Sequence, residues 1–190
     1  MVTAENRYLT RGEMEGNARY IWAFFLSRGW TAEAVAAMLG NMETESTINP
    51  AIYENLDANS TTNGFGLVQW TPNTKYKTWA DANGYGNNYA NIDGQLARIL
   101  WEVANGEQWI PLPDYASMTF KEFSTSKLFP EYLAEIFLRC YERPADTNQP
   151  NRATQARAWY NLLKGSVTPE PEKRKGMSKL LLYYGGTYRR

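Results

Sequence analysis

The sequence predicts an α+β fold, mainly α, with a small β-like lobe set beside the helices. Three observations carry this expectation. Apolar residues recur at three- and four-residue spacing over several stretches. Those stretches are bracketed by capping residues, prolines and glycines in the positions that start and stop helices. Between them, residues 51 to 74 lose helical periodicity and fill with Asn, Thr, Gly and Asp, as turns and short strands do.

Taken in order, Thr10-Arg11-Gly12-Glu13 is a capping box, followed by Met14, Ala18, Ile21 and Phe25 on one face and by Gly29 as a stop. Thr31 caps a second helix carrying Val35, Met38, Leu39 and Met42, and Asn49-Pro50 marks its exit. Asp57 to Gly64 is turn-rich, and Phe65 to Trp70 reads as a short strand, so Tyr53 to Trp70 is expected to form the lobe and one wall of a cleft. Lys75 to Ala82 reads as a short helix, followed by a Gly/Asn loop through Asn91. Ile92, Leu96, Ile99 and Val103 mark a third long helix, and Pro111 and Pro113 interrupt the chain after it. Thr119 to Glu122 is another capping box. Pro130 suits a helix first turn, ahead of Leu133, Ile136, Phe137, Cys140 and Tyr141, with Pro144 ending that helix. Ala153, Ala156, Tyr160 and Leu163 form the last stripe, closed by Gly165.

At 190 residues the chain fits one domain, expected over residues 1–165, with a core large enough to fold alone, and a tail over residues 166–190. The tail holds Pro-Glu-Pro-Glu, an extended-linker composition, and six Lys/Arg against two Glu. Hydrophobic content of 43% and zero net charge give no sign of disorder or of a nucleic-acid partner. No run reaches the length of a membrane span, and Met1 to Gly16 is polar, without the continuous apolar stretch of a signal peptide. The chain has no histidine and one cysteine, Cys140. A histidine-bearing zinc site and a Cys/His nucleophile are therefore unavailable, an internal disulfide is excluded, and no cofactor or metal motif is present. Cys140 itself reads as a small buried hydrophobe.

Carboxylate chemistry remains. Gly40 to Pro50 ends an apolar helix in Glu43-Thr44-Glu45-Ser46, and about twenty residues later Gly64-Phe65-Gly66-Leu67-Val68-Gln69-Trp70 supplies a Gly-rich, aromatic-flanked segment with one Gln. Cleavage of a glycosidic bond needs an acid to protonate the leaving oxygen, and a Gly-rich segment lets a sugar ring approach the backbone. Glu43, Glu45 and Asp57 compete for the acid. Glu43 and Glu45 border the apolar stripe of the second helix on opposite sides, and periodicity does not choose between them. Turn acids such as Asp57 are commonly local backbone acceptors.

The chain also resembles a known family. Gly29 to Thr31, Met38 to Met42, Glu45 to Pro50, Gly64 to Pro72 and Tyr141 to Ala145 are similar, in order, to motifs of the phage tail lysozyme domain, itself related to goose-type lysozymes and lytic transglycosylases. The resemblance covers roughly Tyr8 to Leu163. It implies a lysozyme-like fold with a substrate cleft. It also implies hydrolysis of the β-1,4 bond between N-acetylmuramic acid and N-acetylglucosamine, with lytic transglycosylation or a non-catalytic wall-binding tail module as alternatives. It singles out Glu45 as general acid, its pKa expected to rise through desolvation by Met42 and the cleft aromatics. Asp57 is the candidate second catalytic group, required about 5 Å away in a retaining mechanism or roughly 6.5 to 9.5 Å away in an inverting one. Gln69 and Tyr141 are the substrate contacts the resemblance implies, and Tyr53 and Trp70 are further groove candidates, while Glu142 and Arg143 read as a structural ion pair. The implied partners are bacterial peptidoglycan and, through the tail, phage tail components or anionic wall polymers. The implied location is the virion tail or the host cytoplasm before release. Some relatives carry a zinc peptidase domain after the lysozyme domain; these 190 residues hold neither room nor histidine for one, so the resemblance implies glycan cleavage only.

Overall fold

A computed structural model describes residues 1–165, and the readings placed on residues 166–190 lie outside it. The described residues are mainly helical: α1 Arg11–Leu26, α2 Ala32–Ser46, α3 Thr74–Ala82, α4 Ile92–Asn105, α5 Phe120–Ser124, α6 Pro130–Phe137 and α7 Pro150–Leu163. The starts follow local chemistry. Thr10 accepts from the Glu13 N–H while the Glu13 carboxylate accepts from the Thr10 N–H at 2.8 Å, and Thr119 and Glu122 repeat the arrangement. Thr31 and Asn91 cap α2 and α4. No described helix is long and apolar enough to cross a membrane.

Helix α2 forms the centre. Residues 34 to 42 are all buried, with α1, α6 and α7 packed around them. Ala34, Ala36, Ala37 and Gly40 keep the α2 surface low, and at Gly40 an added Cβ would lie 2.5 Å from the Arg152 carbonyl oxygen on α7. The aromatic residues mostly pack on each other. Trp109 stacks on Phe120 at 4.8 Å, Phe137 on Tyr141 at 4.5 Å, and Trp70 on Tyr76 at 4.9 Å.

Two expectations change. Phe65 to Trp70 is not a strand: Gly66 and Gln69 have φ of 79° and 47°, outside the extended region, and the stretch closes on itself through Gln69 N–H to Gly66 O and Trp70 N–H to Phe65 O. Within residues 51 to 73 the β pairing is one antiparallel bridge, Tyr53 to Phe65, next to a 3-10 turn at Glu54–Leu56. The single helix expected from Pro130 to Tyr141 is α-helical only to Phe137, and Leu138–Glu142 continues as a π turn. Arg143 then adopts φ of 52°, which stops the helix before Pro144 is reached.

Candidate active site

Serine 46 explains how the end of α2 is fixed. Its Oγ lies 2.8 Å from Leu67 O and 3.0 Å from Met42 O, fastening the helix terminus to the Gly-rich segment. Thr47 and Ile48 then take positive φ of 52° and 54°. Such a conformation is strained for a β-branched residue, and surrounding bonds hold it: Leu9 N–H donates to Thr47 Oγ1 at 3.0 Å, and Asn17 Nδ2 donates to Ile48 O at 2.8 Å. From α4, buried Gln95 accepts from the Leu67 N–H at 2.8 Å and donates to Pro50 O at 2.6 Å. Helix end and Gly-rich segment are thereby one rigid unit.

Beside that unit lies a cavity of about 470 Å³ lined by Glu45, Tyr53, Gln69, Lys75 and Glu142, among others. A second depression of about 410 Å³ shares Lys75, Gln108 and Arg143 with it. Four cavity residues other than glycine hold positive φ: Asn55, Gln69, Gln108 and Arg143. Strained backbone of this kind concentrates at binding and catalytic sites.

The structure brings three of the sequence-derived candidates together. Glu45 faces the cavity. Tyr53 lines it with its ring on Phe65 at 4.5 Å and the Lys77 ammonium 4.8 Å from its centre. Gln69 also lines it, its amide nitrogen donating to Gly66 O at 2.9 Å and Ile52 O at 3.2 Å. The structure also separates the two helix acids: Glu43 lies outside the cavity lining and accepts from Trp159 Nε1 at 2.7 Å.

Three candidates fall elsewhere. Asp57 is exposed and accepts from the Asn59 N–H at 3.0 Å, an Asx turn outside the cavity. Trp70 and Tyr141 are buried in the core, where both donate to Glu102, Trp70 Nε1 at 2.9 Å and Tyr141 Oη at 2.6 Å. Their polar ends are satisfied internally, so neither ring lies on the cavity wall. Glu102 is itself fully buried and is also paired with Arg98 Nε at 2.9 Å. Burial pushes its pKa up, while the donors Tyr141, Arg98 and Trp70 pull it down.

The electrostatics of the cavity differ from the expectation at two points. Glu45 is not enclosed by apolar groups. Its Oε1 accepts a 2.6 Å charge-assisted bond from Arg152 Nη2, and Arg152 is 5% exposed and is also bonded to Asn41 Oδ1 and Gln149 Oε1. Glu142 does not pair with Arg143, whose guanidinium donates instead to the carbonyls of Gln108, Cys140 and Tyr141. Glu142 Oε1 is shielded from solvent and has no hydrogen-bond partner. Burial, reinforced by the neighbouring Glu45, pushes the Glu142 pKa well above the usual carboxylate range. Arg152, Gln95 and Glu102 went unread in the sequence, although each is a polar residue on an otherwise apolar helical stripe.

No cluster of His, Cys, Asp and Glu suited to a metal ion occurs among the described residues. Cys140 is buried, and burial raises its thiol pKa.

Comparison with known proteins bears directly on this geometry. Residues 16–163 match the family described as phage tail lysozyme. The chain is also 56% identical over 165 residues to "Morphogenesis protein 1" of Bacillus phage B103, a match that covers 87% of this chain and 44% of that relative. It therefore spans less than half of the relative's length. With helical core, helix-end acid and Gly-rich segment all inside the matched residues, the chain belongs to the phage tail lysozyme family.

Proposed function

We propose that this chain is a cell-wall glycan hydrolase of the virion tail, a muramidase that cleaves the β-1,4 bond between N-acetylmuramic acid and N-acetylglucosamine, with Glu45 as an essential reacting carboxyl. The observation that carries the reading is the placement of Glu45 on a polar cavity in a chain of the phage tail lysozyme family. The two adjoining depressions are read as a substrate cleft longer than one sugar, walled on one side by residues 53–70. Tyr53 offers a ring face and Gln69 an amide to the sugar. Local opening of the wall would let the phage genome pass. Residues 166–190 are read as a basic segment that contacts tail components or anionic wall polymers.

The test is digestion of purified peptidoglycan by wild type and Glu45→Gln, with soluble products reduced and weighed by mass spectrometry. Reducible muropeptides from wild type alone are expected. Products lighter by one water and resistant to reduction would instead indicate a transglycosylase. Wild-type rates in Glu45→Gln would remove Glu45 from the chemistry, and binding without products would leave a wall-binding module.

A further inference from the structure

We propose that Lys75 and Arg143 together bind a carboxylate of the peptide stems carried by the muramic acid residues of the glycan, so that the cleft favours peptide-bearing strands over bare ones. The proposal rests on the glycan-cleaving reading above and names the feature of the substrate that the cleft recognises.

The first support is where the charges stand. The two depressions meet at Lys75, Gln108 and Arg143, so a strand passing from one to the other crosses both cations. The cavity that holds Glu45 carries two further acids, Glu54 and Glu142. The second depression reverses the balance, with Lys75, Arg98 and Arg143 against the single acid Glu107. A neutral sugar chain gains nothing from that reversal, whereas an anionic substituent does.

The second support is which cations are unspent. Arg98 is paired with Glu102 at 2.9 Å, and its guanidinium lies 4.3 Å from the Trp101 ring centre. Lys75 is exposed, and its ammonium has no partner among the described residues. Arg143 is held by one nitrogen. Its Nη1 donates to the Gln108 carbonyl, to Cys140 O at 2.9 Å and to Tyr141 O at 3.0 Å. Its Nε and Nη2 meet no acceptor among the described residues. A guanidinium pinned at one corner has lost much of its freedom before a ligand arrives. The free edge, with Nε–H and Nη2–H side by side, matches the two oxygens of a carboxylate. Glu142 also feels the Arg143 charge, so the site is only moderately cationic and its contribution is that of exposed charge pairs.

The third support is local conformation. Lys75 stands in the first turn of α3, where the helix dipole disfavours a cation, and no acid in that turn offsets it. Arg143 holds φ of 52°. Both residues occupy positions that local stability argues against, and such departures concentrate at functional sites.

The experiment is a calorimetric binding cycle. The ligand is a phosphate-free tetrasaccharide of alternating N-acetylglucosamine and N-acetylmuramic acid with a peptide stem on each muramic acid, its carboxylates either free or amidated. Glu45→Gln serves as the background so that the ligand stays whole, and Lys75→Gln and Lys75→Arg are added to it. Circular dichroism checks that each variant is folded. Amidation is expected to weaken binding about 3- to 10-fold in the background protein. Lys75→Gln is expected to weaken binding of the free-carboxylate ligand about 2- to 5-fold, with a smaller effect on the amidated one, and Lys75→Arg to restore most of the difference. The preference for free carboxylates should shrink between about 0.05 and 0.5 M salt, because exposed charges are screened.

Equal affinity for the two ligands in the background protein would overturn the proposal. So would a Lys75→Gln protein that still distinguishes them as well as the background does. A Lys75→Gln defect seen only on walls that carry phosphate polymers would also overturn it, because the anion would then be a phosphate. The glycan-cleaving reading fails by a different observation, wild type releasing no products from peptidoglycan. The two failures are distinguishable because the binding cycle does not depend on turnover.

Discussion

Replacing Arg152 by Met tests the electrostatic framework of the cavity. Arg152 is 5% exposed and holds three side chains: Glu45 at 2.6 Å, Asn41 Oδ1 at 3.2 Å and Gln149 Oε1 at 2.6 Å. Methionine fills similar volume and donates nothing. The charge-assisted bond to Glu45 accounts for about 1.5 to 3 kcal/mol, toward the low end because Glu45 is 21% exposed and faces the cavity. Asn41 is fully buried, so its orphaned Oδ1 adds about 1 to 3 kcal/mol. Gln149 is only half-buried and recovers its bond from water. The expected total is about 3 kcal/mol, the lower end of what breaking a buried ion pair costs. For a domain of this size that is a fall in Tm of about 6 to 12 °C. The assay is urea unfolding at neutral pH followed by tryptophan fluorescence, run as a double-mutant cycle with Glu45→Gln. A coupling energy of about 1 kcal/mol or more between the two sites is expected. Destabilisation below about 1 kcal/mol, or additive effects of the two substitutions, would refute the assignment of Arg152 as the buried partner that holds the Glu45 side chain in place.

Two further outcomes follow from packing and hydrogen bonding. Gly40→Ala gains about 1 kcal/mol of helix propensity, but its Cβ would sit 2.5 Å from Arg152 O and 2.7 Å from Ala156 N, backbone atoms that cannot yield without moving α7. Urea unfolding should show a net loss of about 1 to 3 kcal/mol, and a stabilised variant would contradict the close α2–α7 approach. Gln95→Leu orphans the Leu67 N–H and the Pro50 and Tyr89 carbonyls in the interior. The expected cost is about 3 kcal/mol, with faster amide exchange at Leu67 than at the α2 core; unchanged exchange there would show that the Gly-rich segment is held by something else.

The helices were legible because their starts and stops are local chemistry. A threonine or asparagine side chain satisfies the free N–H groups of the next turn wherever the rest of the chain lies, as Thr10, Thr31, Asn91 and Thr119 do. Phe65 to Trp70 was misread as a strand because alternating apolar residues look alike in a strand and in a turn whose glycine holds φ of 79°. The aromatic candidates divided on burial. Tyr53 reaches the cavity, but Trp70 and Tyr141 point inward to Glu102, a partner 32 and 39 positions away in the chain.

The sequence by itself determined the helical framework and the lack of histidine in these 190 residues, and it carried the motifs of the phage tail lysozyme family. Only the tertiary structure decided which carboxylates line the cavity. Glu43 and Glu45 are equivalent on a helical wheel, yet Glu43 faces Trp159 whereas Glu45 faces the cavity. Glu142 and Arg143 are neighbours in sequence, yet they do not pair. Charge state depends on what lies within a few ångströms, and the groups that set it here (Arg152, Glu102 and Glu45 around Glu142) come from three separate helices.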